Sequence, residues 1–185
     1  MALELRKRRF TVDEYYRMAR AGILGEDDRV ELIEGGIVEM TPIGARHAEC
    51  VSRLTELFFH TFGDVARVSP QNPIRLGEHS EPQPDVALLR PRSYASGHPT
   101  PEDVLLLVEV AESSAEPYRR VKVPLYGRSG IPEVWLVDLE QETITTYHDP
   151  TPEGYRTARV ARSGEDLASV AFPDRAIAVA SVLSS

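Results

Sequence analysis

Leu105-Leu-Leu-Val-Glu-Val-Ala111 is a run of apolar residues broken by one carboxylate, and its reading decides the rest. The run predicts a strand over 104–110, with apolar residues on both of its faces. Glu109 has Leu107 and Ala111 as its same-face neighbours, so its side chain is expected among apolar groups. A buried carboxylate with no partner is costly, and Glu109 therefore calls for a cation, a donor or a raised pKa. A structural ion pair to an arginine, or a strand end reaching water, is the plainer alternative.

Upstream, Pro84-Asp-Val-Ala-Leu-Leu89 predicts a second strand, separated from the first by a loop containing Pro91, Pro99 and Pro101. Asp beside Pro is a common turn pair, so Asp85 alone carries little. If the two strands pair across that loop, Asp85 and Glu109 lie side by side and suit a hard, oxygen-seeking cation such as Mg²⁺. Downstream, residues 118–129 read as a helix, with Pro124 tolerable near its first turn. Lys122 lies there, and a helix packed back on the sheet would deliver its ammonium to the two carboxylates, where it orients a water or stabilises phosphoryl charge. Of the 21 basic side chains only Lys7 and Lys122 are lysines, so a compact point charge is retained where arginine is otherwise the rule. A solvated helix lysine is the ordinary alternative.

Around this centre the elements read as follows. Thr11-Val-Asp-Glu14 forms a capping box opening a helix that ends before Gly22. Arg29–Glu34, Gly35-Gly36 and Ile37–Met40 predict a hairpin. Val51, Leu54, Leu57, Phe58 and Phe62 have helical spacing over 46–62, and Gly63 stops that helix. Further strands are expected at Val65–Val68, Pro73–Leu76, Val134–Val137, Ile144–Tyr147 and Tyr155–Ala161, while the tail is too weakly patterned to assign. Without repeats or a linker, residues 1–185 read as one domain. Its class is α/β (α+β), a mixed central sheet flanked by helices.

Composition sets the outer limits. A chain of 185 residues with 42% hydrophobic and 27% charged content is ordinary for a soluble globular protein. No stretch reaches the roughly 20 apolar residues of a spanning helix, and the N-terminus lacks the apolar core of a secretory signal. A lone Cys50 fits a reducing compartment, so a cytoplasmic location with no membrane partner is expected. The net charge of −8 argues against gripping nucleic acid with the whole surface, but a local basic strip or a bound cation is compatible with it. His47, His60, His79, His98 and His148 show no metal-ligand spacing, and for His47 a surface role is favoured. There is no phosphate-binding glycine loop and no nucleophile elbow.

Taken together, Pro84-Asp85, Glu109-Val-Ala-Glu-Ser-Ser114, Lys122 and Leu125-Tyr-Gly-Arg-Ser-Gly-Ile-Pro-Glu-Val-Trp-Leu-Val-Asp138 resemble the Uma-type family of bacterial endonucleases, as do Arg29–Gly35 and the helix near His47. The resemblance spans roughly residues 10–150. It implies membership of the PD-(D/E)XK superfamily and a restriction-endonuclease-like fold. It also implies that Asp85, Glu109 and the carbonyl of Val110 bind Mg²⁺, with Mn²⁺ as substitute. Glu31 is similar to the acidic residue that such nucleases bring near the metal from their N-terminal element; an outward-facing hairpin carboxylate is its alternative. The superfamily lysine stands two residues after the glutamate, where this chain has Ala111, and the resemblance implies that Lys122 replaces it. The resemblance also implies that many relatives carry an aspartate four residues before that lysine, where this chain has Tyr118.

The leading expectation is a Mg²⁺-dependent endonuclease acting on nucleic acid, DNA first, with catalytic residues Glu31, Asp85, Glu109 and Lys122 and a homodimer left open. A catalytically inactive module for binding or assembly, which the charge and Tyr118 favour, is the alternative. Glycosidic hydrolysis by the carboxylate pair fits poorly, since Glu109 lies in too apolar a strand for an open sugar cleft.

Overall fold

The computed structural model describes residues 7–25, 27–112 and 116–183, so Ser113 and Ser114 of the blocks above lie outside the described residues. The chain opens with α1 (Val12–Arg20). Thr11 Oγ1 accepts from the Glu14 amide at 3.1 Å while Glu14 accepts from the Thr11 amide at 3.0 Å, which is the predicted capping box. Two short strands follow, β1 (Val30–Ile33) and β2 (Gly36–Glu39), paired antiparallel. Glu34 and Gly35 turn between them with φ of 49° and 82°, the positive pair of a tight hairpin turn. A side chain at 35 would also stand 2.5 Å from Arg9 Cβ, so glycine is required twice over.

The helix α2 (Ala45–Phe62) ends at Gly63 and buries Val51, Leu54, Phe58 and Phe62, the stripe its spacing predicts. Next come β3 (Arg67–Pro70), β4 (Val86–Leu89) and β5 (Val104–Ala111). A five-residue π turn (Tyr118–Lys122) leads into α3 (Val123–Arg128) and then β6 (Glu133–Asp138). The chain closes with β7 (Thr143–Thr151), β8 (Gly154–Arg162), β9 (Asp166–Ser169), β10 (Phe172–Ala178) and the short α4 (Val179–Leu183).

Six of these strands form one mixed sheet in the order β3-β4-β5-β6-β7-β8. Only β5 and β6 run parallel within it. Parallel neighbours require a crossover, and here the π turn and α3 supply it. Period-two alternation divides the sheet residues between two cores. Val86, Leu88, Leu106, Val108 and Trp135 pack with α2 and α4, while Ala87, Leu89, Leu107 and Val134 pack with Tyr126 and Val123 of the crossover helix. Glu109 belongs by alternation to the second face, the one the crossover covers. At Gly127, α3 meets the sheet backbone to backbone: a Cβ there would lie 2.3 Å from the Gly154 carbonyl oxygen of β8.

Three expectations are corrected. Pro73–Leu76 is no strand; Ile74 and Leu76 bond back to Pro82 and Ser80 within an irregular loop, because Pro73, Pro82 and Pro84 break any continuous ladder. The strand expected at Val65–Val68 sits two residues later, at Arg67–Pro70. The tail is ordered as the antiparallel pair β9–β10 and α4, anchored by buried Leu167, Ile177, Val179 and Val182. Among the described residues no helix is long and apolar enough to cross a membrane.

Candidate functional site

The antiparallel pairing of β4 with β5 sets Val86 opposite Val108, so Asp85, one residue before β4, lies beside the stretch that carries Glu109 and Val110. The Val110 amide donates to Asp85 Oδ2 at 2.8 Å, replacing the ladder bond that β4 has ceased to supply. A strand residue presents its N–H and C=O to the same edge, so the Val110 carbonyl shares that edge with Asp85.

Glu109 is 1% exposed. Its Oε1 accepts from Lys122 Nζ at 3.2 Å and from the Tyr126 hydroxyl at 2.5 Å. Lys122 and Tyr126 are four residues apart on the crossover, and therefore share the helical face turned toward the sheet. The π turn is fastened from the side, since Arg119 donates to Asp138 at the end of β6 at 3.1 Å. Lys122 Nζ also lies 3.1 Å from Glu31 Oε2, and Glu31 accepts from the Gln83 amide at 3.1 Å. The hairpin carboxylate is thus turned inward and buried, not outward.

The structure therefore brings Glu31, Asp85, Glu109, Val110 and Lys122 to one cavity of about 410 Å³. Its electrostatics follow from burial. Glu109 is pushed up to about 7 by loss of water, an effect the ammonium of Lys122 opposes and the charges of Asp85 and Glu31 reinforce. Burial works to discharge Lys122, yet the carboxylates of Glu109 and Glu31 prevail and hold its pKa above the usual lysine value. Five carboxylates (Glu31, Glu39, Asp85, Glu109 and Glu112) face this space against the cationic Arg29 and Lys122, so a further positive charge is favoured there.

Among the described residues no three His, Cys, Asp or Glu side chains form a ready metal cage. The oxygen donors on this side of the cavity that could hold an ion are the carboxylates of Asp85 and Glu109 and the Val110 carbonyl. That is the sparse all-oxygen set, completed by water, that Mg²⁺ accepts. Lys122 Nζ bridges Glu31 and Glu109, and Glu31 also accepts from the Gln83 amide.

Three neighbours went unassigned in the sequence or were read otherwise. His47, expected at the surface, points into the cavity, with Nε2 3.2 Å from both Asp85 oxygens and Nδ1 buried without a partner. Its hydrogen bond to Asp85 raises the imidazole pKa, against the opposing effect of burial. The signal was present: His47 continues the Val51, Leu54, Phe58 stripe one turn toward the N-terminus. Tyr126 was legible only as Lys122 plus one helical turn. Tyr118 places its ring centroid 5.6 Å from Lys122 Nζ, a cation–π contact at the position where the family resemblance implies an aspartate in relatives. Its own phenol is pushed up to about 12, by burial first and then by Glu109.

A family profile described as "Uma2: Putative restriction endonuclease" matches residues 12–180. Among solved structures the chain is similar to a crystal structure titled a putative nuclease from Anabaena variabilis. The two are 17% identical, with a TM-score of 0.74 over 95% of this chain and 98% of that one. At that identity the likeness shows a shared fold. No curated protein matches the chain.

Proposed function

The chain belongs to the Uma2 family, and from that premise we propose that it is a divalent-metal-dependent endonuclease of the cytoplasm, hydrolysing phosphodiester bonds in nucleic acid, DNA first. One observation supports this above all: Lys122 Nζ is held 3.2 Å from Glu109 and 3.1 Å from Glu31, in the cavity that Asp85 also faces. A lysine kept only for solubility has no reason to be enclosed by two carboxylates.

Asp85, Glu109 and the Val110 carbonyl hold Mg²⁺ or Mn²⁺ in this reading. Such an ion, when bound, offsets charge on the scissile phosphate and makes a bound water more acidic. Asp85 is kept in orientation by His47 and by the Val110 amide. Glu109 must be ionised to serve, and its elevated pKa means that it is poised for a cation to draw off its proton. Lys122 stays protonated, so its role is that of a donor and fixed charge beside the phosphate, not that of a base. Tyr118 and Glu31 position that ammonium.

The test is cleavage of plasmid and single-stranded DNA by metal-stripped protein with Mg²⁺ or Mn²⁺ restored, alongside Asp85→Asn. Ion-dependent cleavage by the parent, lost in the variant, is the expected result. A parent that cuts neither substrate and whose thermal midpoint ignores millimolar ion would overturn the reading. A non-catalytic binding module, favoured by the net charge of −8, would then take its place.

A further inference from the structure

Hydrolysis does not account for the apolar rim of the cavity. Val38 (43% exposed), Ile43 (41%) and Val121 (45%) all stand around this one opening. They come from β2, the loop before α2 and the π turn, so three separate elements present apolar groups to one space. Scattered exposed valines need no explanation, but a gathered set bordering a small-molecule-sized cavity marks a binding surface. Ile43 also borders a second groove along α2, where Phe59 is 66% exposed, so the apolar track continues away from the carboxylates.

The wall, more than the charge, selects the occupant. A duplex is held through its phosphates by many basic side chains. Here carboxylates outnumber cations in the cavity and the chain carries −8 overall. A single strand carries the same phosphates but also offers the flat faces of its bases, which stack on aromatic side chains with little regard to sequence and can rest against apolar ones. Tyr118 joins the wall to the chemistry: its ring lies 5.6 Å from Lys122 Nζ, so a base against this wall leaves its own phosphate within reach of the ammonium.

Resting on the phosphodiesterase reading above, we propose that the cavity seats one unpaired nucleobase adjoining the scissile phosphate. The substrate is therefore single-stranded or locally unpaired nucleic acid, and intact duplex is a poor one.

The experiment compares cleavage, in Mn²⁺, of an end-labelled single-stranded oligonucleotide, its blunt duplex, and a set of single strands with one abasic residue moved along the sequence. The single strand is expected to be cut at least about tenfold faster than the duplex. An abasic residue at one fixed offset from the cut is expected to slow cleavage about fivefold or more, the loss of one stacked base. Val38→Asp and Ile43→Asp, both at exposed positions, should flatten that offset dependence while keeping the parent's metal-induced rise in thermal midpoint. Equal rates on duplex and single strand, or a flat abasic scan in the parent, overturn the base seat and leave the phosphodiesterase reading standing. Absence of cleavage on every substrate overturns both. If Ile43→Asp instead splits a dimer and leaves the abasic scan unchanged, the rim belongs to a second copy of the chain and the base seat is wrong.

Discussion

Replacing Glu109 by glutamine should make the metal-free protein more stable, and more so the higher the pH. The carboxyl moves from its ordinary 4.5 to about 7 on folding, chiefly because burial penalises its charge. The native state thus binds this proton more tightly than the unfolded chain between those two values. Stability carried by the group is fully present below about pH 4.5 and is lost as pH rises toward and through 7. At about 1.4 kcal/mol per pH unit, the parent at pH 8 bears a penalty of about 3 kcal/mol, falling to about 1 kcal/mol at pH 5. Glutamine keeps the size and an acceptor oxygen for Lys122 and Tyr126 without the charge. Its new amide hydrogens need partners, which offsets part of the gain, so about 1–3 kcal/mol of stabilisation is expected at pH 8. For a chain of this length that corresponds to a thermal midpoint raised by roughly 2–12 °C. The assay is urea unfolding in EDTA at pH 5 and pH 8 and fixed salt, for parent and Glu109→Gln. A variant less stable than the parent at pH 8, or a difference that does not change between the two pH values, would refute the argument that this carboxylate is held against its preference. Added Mn²⁺ should then narrow the gap, because only the parent keeps both carboxylate ligands.

Further outcomes are expected at three residues. Lys122→Ala should lose at least about tenfold in cleavage rate, about 1.4 kcal/mol of barrier, with incomplete rescue by Lys122→Arg, whose planar fork does not replace a point charge. Because it strands Glu31 and Glu109 without their cation, Lys122→Ala should also destabilise the fold by about 3–5 kcal/mol, read by urea unfolding, so rates must be compared well below its midpoint. Tyr118→Phe should keep kcat near the parent's, while Tyr118→Ala lowers it from a few-fold to about thirtyfold, the span of a cation–π contact of about 0.5–2 kcal/mol. His47→Ala should weaken Mn²⁺ binding about ten- to a hundredfold in a thermal-shift titration, with partial recovery in His47→Gln, which can still donate to Asp85.

Local patterns in the sequence were enough to reveal most of the frame. The capping box at Thr11, the Gly35 turn and the α2 stripe each depend on residues within a turn or two of one another, so their spacing is visible in one dimension. The two apolar runs that became β4 and β5 were visible, but their pairing across the proline-rich loop stood only as a condition until the fold showed it. The π turn was hidden because Tyr118–Lys122 is too short a stretch to display a change of period, yet it sets where Lys122 and Val121 point. The β9–β10 pair was hidden for another reason: Asp166–Ser169 and Phe172–Ala178 present little alternation and owe their order to distant contacts. At the site, the charged residues stood out against their apolar surroundings, as Glu109 does between Leu107 and Ala111. His47 and Tyr126 did not, since each occupies a position that an ordinary core residue would also fill.

The meeting of Gly127 with Gly154 has a bearing on any mutational screen of this protein. The crossover helix rests on β8, three strands away from β5, with no side chain between the two backbones to act as a cushion. A methyl group added at 127 cannot be absorbed by a rotamer change and must tilt the helix itself, and with it the lysine at its entrance. Positions remote from the carboxylates will therefore score as though they took part in the chemistry. Inactivating substitutions along the β8 side of that helix would report lost alignment, and separating them from contact residues needs metal binding measured beside turnover.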